Sequence, residues 1–150
     1  MDQSAVIQQH IDQLVAHLQQ EGILDEQFQQ LMQLQDDSNP DFVSEVVQLY
    51  FEDSVGKIER MGQIASSSSA PPNFNELDGL VHQFKGSSAS LGAQMLAQLC
   101  IKLRECCQTQ NQQGCLMLLS QIQSAYDLLK SKLDLFMQLE GKRKMALSGL

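Results

Sequence analysis

The sequence predicts an all-α protein, an up-and-down antiparallel four-helix bundle with two shorter N-terminal helices packed on it. Three observations lead there. Apolar residues recur at three- and four-residue spacing in segment after segment, and no alternating pattern of the strand kind appears. Gln and Leu are abundant, aromatic residues make up only 5%, Trp is absent and Pro occurs three times, a balance that suits helices. Connections between the last three apolar segments are short, which favours antiparallel neighbours. A chain of 150 residues fits one domain, 1–150, able to bury a core without metal or disulfide staples. The N-terminal helices are expected in 1–38, the bundle in 39–140 and a flexible tail in 141–150.

The first helix is expected from about Ala5 to Gln20, with Ile7, Ile11, Leu14, Val15 and Leu18 on one face and Gln, Asp and His on the other. Gly22 is placed to end it. Asp25 can cap a short second helix carrying Phe28, Leu31 and Met32. Asn39-Pro40 reads as an N-cap followed by proline at the first helical position, opening a longer helix to about Ala65. Its expected core residues are Val43, Val46, Val47, Tyr50, Val55, Ile58, Met61 and Ile64. Ser66-Ser67-Ser68-Ser69-Ala70-Pro71-Pro72 has the composition of a loop inside one domain. The fourth helix runs from about Phe74 to Leu91, Gly92 allows a break, and Leu96, Leu99, Leu103 and Cys107 mark a fifth. After a turn at Asn111 to Gly114 comes a long sixth helix, Cys115 to about Leu139, which Gly141 is expected to end. Lys142, Arg143 and Lys144 then fall in a frayed end.

The formal net charge of −8 argues against nucleic acid as the main partner, because a phosphate backbone demands a basic face. No apolar run approaches the span of a bilayer, and the N-terminus lacks the basic-then-apolar layout of a signal peptide, so no membrane role is expected. Cys100, Cys106, Cys107 and Cys115 form no Cys-x-x-Cys pair, and the first three recur near helical spacing with Leu96, Leu99 and Leu103. They read as buried thiols acting as small hydrophobes, without disulfides. Nucleotide-binding and nucleophile-elbow motifs are missing.

The stretch with chemical character is His82-Gln83-Phe84-Lys85-Gly86-Ser87-Ser88-Ala89-Ser90-Leu91-Gly92-Ala93. On a helix, Leu77, Leu80, Val81, Phe84, Ser88 and Leu91 fall along one buried seam, whereas His82 lies about 140° from its centre. His82 shares its stripe with Gly79, three residues before, and Gly86, four after, the spacings of helix-surface neighbours. Each glycine costs a helix interior roughly 1 kcal/mol relative to alanine, so the pair suggests that another backbone or protein surface must approach the ring. Lys85 places a cation one turn away, suited to an anionic group on the imidazole. Ser87 and Ser90 add hydroxyls, while Ser88 belongs to the seam and should be satisfied inside the bundle. The neutral imidazole of histidine is nucleophilic at one nitrogen, and phosphoryl transfer depends mainly on positioning and charge stabilisation.

His82 to Gln94 resembles the signature of histidine-containing phosphotransfer (HPt) proteins in their plant form. Leu34-Gln35-Asp36-Asp37-Ser38-Asn39-Pro40-Asp41-Phe42-Val43 and the run from Glu21 to Phe28 extend the similarity, so it covers residues 10 to 140 or so. The resemblance implies the same bundle and a phosphocarrier without autonomous catalytic activity, as in cytokinin-type two-component phosphorelays. In that role His82 accepts phosphate from the receiver aspartate of a hybrid histidine kinase and passes it to an aspartate of a response regulator. Lys85 would steady the phosphoryl charge and Gly86 would admit the receiver's loops. Gln83, Ser87, Ser90 and Gly79 would meet the partner at the rim. An apolar docking patch is implied on the N-terminal helices, with Ile23, Leu24, Phe28, Leu31 and Met32 as candidates, each of which also reads as a core residue, and Asp25 and Gln29 as exposed companions. The Mg²⁺ for transfer would belong to the receiver, leaving this chain without a cofactor. A monomer in cytoplasm and nucleus is the matching expectation. One departure stands out: where plant members commonly carry basic residues after Gly92-Ala93-Gln94, this chain has Met95, Leu96 and Ala97, which would either weaken the electrostatic part of docking or change the partner preference.

Two rival readings follow from the same residues. One is a non-catalytic helical adaptor that binds receiver domains without phosphotransfer. The other is a metal-dependent bundle enzyme using His10, His17 and His82, against which stands the lack of paired Glu and Glu-x-x-His motifs.

Overall fold

The computed structural model describes residues 2–68 and 70–149; Met1, Ser69 of the serine-rich loop, and Leu150 lie outside them. Six helices follow one another: α1 (Gln3–Gln20), α2 (Glu26–Leu34), α3 (Phe42–Ala65), α4 (Phe74–Leu91), α5 (Gln94–Gln108) and α6 (Gln112–Leu147). Helices α3 to α6 pack in a ring, each against the next and α6 back against α3, while α2 lies across α3 and α4 and α1 lies along α6. With 18 residues, α1 is as long as α4; only α2, with nine, is short.

Local chemistry accounts for most boundaries. The Asp2 carboxylate accepts from the Ala5 amide at 3.1 Å, so α1 starts two residues before the expected Ala5. Gly22 ends it with φ +74, and the amides of Ile23 and Leu24 close onto the Leu18 carbonyl. Asp25 caps α2 by accepting from the Gln27 amide at 2.9 Å. The start of α3 departs from expectation. Asn39 and Pro40 are not its cap and first residue but part of the preceding turn, where Asn39 accepts from the Asp36 amide and donates to the Leu34 carbonyl. With Asn39 so engaged, α3 begins at Phe42, and its first-turn Val43 amide donates to the Gln35 side chain at 3.0 Å instead.

Within α3 the buried stripe is Val43, Val47, Tyr50, Phe51, Ser54, Met61, Ile64 and Ala65. Val55, expected in the core, is 53% exposed. It stands about 80° from the stripe set by Val47, Phe51 and Ser54, so a β-branched apolar residue faces solvent there. The aromatic core is layered: Phe28 of α2 meets Phe136 of α6 edge-on at 5.2 Å, and Tyr50, Phe51, Phe84 and Tyr126 join α3, α4 and α6. Cys100, Cys107 and Cys115 are buried, whereas Cys106 is half-buried; all four are free thiols.

The end of α6 also differs from expectation. The helix does not stop at Gly141 but continues to Leu147, a span of 36 residues, or about 54 Å. Tertiary contacts outweigh the cost of a mid-helix glycine, roughly 1 kcal/mol. Leu139, Lys142, Met145 and Ala146 line a cavity against Gln3, Ile7 and His10 of α1. Arg143 holds the buried Glu140 at 3.0 Å, Gln35 donates to the same carboxylate at 3.2 Å, and Lys144 pairs with Asp41. Two of the three cations expected in a frayed tail are thus tied to folded neighbours. No described helix is long and apolar enough to cross a membrane.

Candidate functional site

Helix α4 presents the chemistry. Asn73 caps its first turn by accepting from the Glu76 amide at 3.0 Å, and Leu77, Val81, Phe84, Ser88 and Leu91 are buried against the bundle. Leu80, expected on this seam, is half-buried at its edge. The opposite face carries Gly79, His82, Gln83, Gly86, Ala89 and Ser90, all exposed. The helix runs unbroken through Gly86-Ser87-Ser88. At both Gly79 and Gly86 an added Cβ would meet nothing within 4 Å. Packing inside the chain therefore gives no reason for either glycine.

Behind this face the seam is secured by a polar contact. Ser88 shares a hydrogen bond with the Tyr50 hydroxyl at 2.8 Å, both groups buried, so it belongs to the interior as its register requires. Burial pushes the Tyr50 hydroxyl well above its ordinary range. Ser87 is half-buried and donates to the Phe84 carbonyl at 3.1 Å. Lys85 is half-buried and, with Ile101, Arg104, Glu105 and Gln108, lines a cavity of 160 Å³ between α4 and α5.

Two residues at the site were not anticipated. Nη1 of Arg104, on α5, lies 3.1 Å from Nδ1 of His82. The same guanidinium pairs with Asp78, Nε to Oδ1 at 3.1 Å and Nη2 to Oδ2 at 3.4 Å. That hydrogen bond raises the Arg104 pKa above its ordinary value. Asp78 and His82 stand one turn apart on α4, a spacing visible in the sequence. The 22-residue separation of Arg104 from His82 carries no such signal, because it is set by how α5 folds back.

The docking candidates on the N-terminal helices need correction. Leu24 and Phe28 are fully buried and Ile23 nearly so, because they belong to the hydrophobic core, where Phe28 meets Phe136 of α6. Asp25 is the half-buried cap of α2, and Met32 and Leu31 are half-buried against the core. Gln29 is exposed, and the large apolar residue that α2 exposes is Leu34, at 61%. The unusual run on α5 separates in the same way: Leu96 is core, while Met95 lines an apolar groove with Leu99 and Leu128. His10 and His17 are exposed on α1, with His17 3.1 Å from Glu21. Among the described residues no three His, Cys, Asp or Glu side chains come together as metal ligands would.

An exposed imidazole with one nitrogen held by the protein, flanked by bare backbone and a cation, can take up a group delivered from outside. Comparison with known proteins points the same way. Residues 45–132 match the family described as Hpt domain. Histidine-containing phosphotransfer protein 2 of Arabidopsis thaliana is 42% identical over 91% of this chain and 86% of its own. Protein 5 of the same name and organism is 44% identical over 88% and 84%. A crystal structure of a histidine-containing phosphotransfer protein from Medicago truncatula superimposes with a TM-score of 0.86 at 39% identity, covering 93% of this chain and 94% of that one.

Proposed function

The chain belongs to the family of histidine-containing phosphotransfer proteins, and from that premise we propose that it is a phosphorelay intermediate whose phosphoacceptor is His82. The observation that supports this most is the placement of His82 in mid-helix, exposed, between two glycines above which space is open. Above those two glycines a receiver domain bearing an aspartyl phosphate can approach the ring through open space. The P–O bond to the aspartate breaks with its electron pair returning to the carboxylate, a nitrogen of the ring bonds to phosphorus, and the ring proton passes to solvent. The reverse sequence loads a response-regulator aspartate.

Lys85 stands one turn away to balance phosphoryl charge, Gly86 and Gly79 admit the visiting loops, and Gln83 and Ser90 contact the partner's rim. Ser87 reaches the partner only by giving up its bond to Phe84. Among the N-terminal candidates the half-buried Met32 and Asp25 remain in reach of a partner, joined by the exposed Leu34 and Gln29. Mg²⁺ belongs to the receiver, and this chain, as a carrier, supplies no catalytic machinery of its own. Partners are the receiver domains of hybrid histidine kinases and response regulators in a cytokinin-type relay, met by a monomer in cytoplasm and nucleus.

The test is incubation with a phosphorylated receiver domain and Mg²⁺. Acid-labile, alkali-stable label should appear on the wild type and be absent from His82→Gln; an unlabelled wild type would overturn the assignment in favour of an adaptor that binds receivers without transfer.

A further inference from the structure

The contact between Arg104 and His82 bears on which ring nitrogen carries the proton. A guanidinium offers donors only and stays charged throughout the pH range of a folded protein. With Arg104 Nη1 at 3.1 Å, Nδ1 of His82 is the acceptor, and the single proton of the neutral ring sits on Nε2. An N–H at Nδ1, in the other tautomer or in imidazolium, would point one donor at another. Asp78 makes the arrangement durable, since both its oxygens hold Arg104 and each side chain is only 28% exposed. The other charged groups lie elsewhere. Lys85 follows one turn later on α4, and Glu105 lies beside Arg104 on the same small cavity. From α2, Asp25 is engaged at the Gln27 amide, and from α3, Arg60 holds Glu76. Arg104 is the charged group hydrogen-bonded to the ring.

We propose that Arg104, braced by Asp78, is a positioning residue that keeps Nδ1 of His82 an acceptor both in the free ring and in the phosphorylated ring, and thereby restrains the protonation on which loss of the phosphoryl group depends. The inference rests on His82 being the phosphoacceptor. Nε2 attacks phosphorus only through a free lone pair. The ring must therefore first exchange its proton with water from Nε2 to Nδ1, with Arg104 released. The Nε2–P bond then forms as the P–O bond breaks, the carboxylate leaves with the electron pair, the Nδ1 proton passes to solvent, and Nδ1 accepts from Arg104 again. Hydrolysis reverses that last deprotonation. A proton on Nδ1 turns the ring into a good leaving group, Nε2 takes the N–P electron pair, and a water oxygen bonds to phosphorus and sheds its proton as inorganic phosphate departs. Arg104 occupies the lone pair that this proton requires.

The experiment uses the full chain and phosphoramidate as chemical phosphoryl donor, so that no receiver enters. Long-range proton–nitrogen NMR of the unphosphorylated protein should show the Nε2–H tautomer in the wild type and a mixture in Arg104→Ala. After phosphorylation, the hydrolysis rate–pH profile of Arg104→Ala should lie about one pH unit higher, so that the bond breaks about tenfold faster at neutral pH. Arg104→Lys, which retains a cationic donor, should move the profile back toward the wild type. Asp78→Asn, which leaves Arg104 present but unbraced, should fall between wild type and Arg104→Ala and serves if the alanine variant fails to fold. Coincident profiles, or an Nδ1–H tautomer in the wild type, would overturn the proposal. A wild type that shows the Nε2–H tautomer but takes no label on His82 from phosphoramidate would overturn the phosphoacceptor assignment, and the phosphorylated-ring half of the proposal with it.

Discussion

The Asp25 amide donates to the Gly92 carbonyl at 2.9 Å, which fastens the start of α2 to the end of the helix that carries His82. Gly92 makes this approach possible. Its φ of +89 lies in the left-handed region, and an added Cβ would fall 2.5 Å from the Phe28 amide nitrogen and 3.1 Å from its Cβ.

Gly92→Ala should therefore cost about 2 kcal/mol or more, combining left-handed strain with displacement of α2. Urea unfolding would register this as a lower midpoint at unchanged slope. A neutral outcome would mean that α2 is not seated on Gly92 in solution.

Gly86 should behave in the opposite sense. Gly86→Ala places a methyl in open space on a regular helix turn and should stabilise the fold by roughly 1 kcal/mol. Gly86→Leu should fold as well yet slow phosphate uptake from a receiver, with the loss appearing in receiver affinity. Equal transfer by Gly86→Leu and wild type would remove the reason offered for the glycine.

The Tyr50–Ser88 bond gives a coupled pair. Tyr50→Phe leaves the Ser88 hydroxyl buried without its partner and should cost about 1 to 2 kcal/mol. Adding Ser88→Ala to that variant should cost less than the same change in the wild type, a coupling that a double-mutant cycle measures directly.

Alkaline pH should destabilise the fold. Burial pushes the Cys100 and Cys107 thiols up to about 12 from an ordinary 9.0, and Tyr50 above its ordinary 10.0. The unfolded chain releases these protons first. Stability is thus complete below the unfolded values and is lost as pH rises from about 9 toward the folded ones. Urea midpoints measured from about pH 8 to 11 should fall steadily, and the fall should shrink in Cys100→Ala/Cys107→Ala.

The end of α6 offers a fourth-quarter check on the bundle. Arg143→Ala leaves Glu140, 3% exposed, with Gln35 as its one side-chain partner among the described residues and should cost about 2 to 3 kcal/mol. Calorimetry would show it as a lowered Tm.

Much of this was legible in the residues. The seam of α4 and the outward register of His82, Gly79 and Gly86 follow from helical period alone, and Ser88 sits inside because that period puts it there. Caps chemically explicit in the sequence, such as Gly22 and Asp25, act as written. What escaped depends on the third dimension. Asn39 is a competent cap, but the Asp36 and Leu34 backbone claims it first. Gly141 is a competent stop, but α1 and Asp41 hold the helix beyond it. Leu24 and Phe28 carry the composition of a docking patch and of a core equally well, and only the position of α2 decides between them. Arg104 meets His82 through the α4–α5 hairpin, a pairing across two helices that no linear spacing encodes.

The bare stretch from Gly79 to Gly86 measures about 10 Å along its axis, room for the loops of a single guest. Whoever brings phosphate and whoever takes it away must queue for one seat, so the traffic this protein can carry is governed by how soon each guest leaves. An idle guest in excess would jam loading and unloading alike.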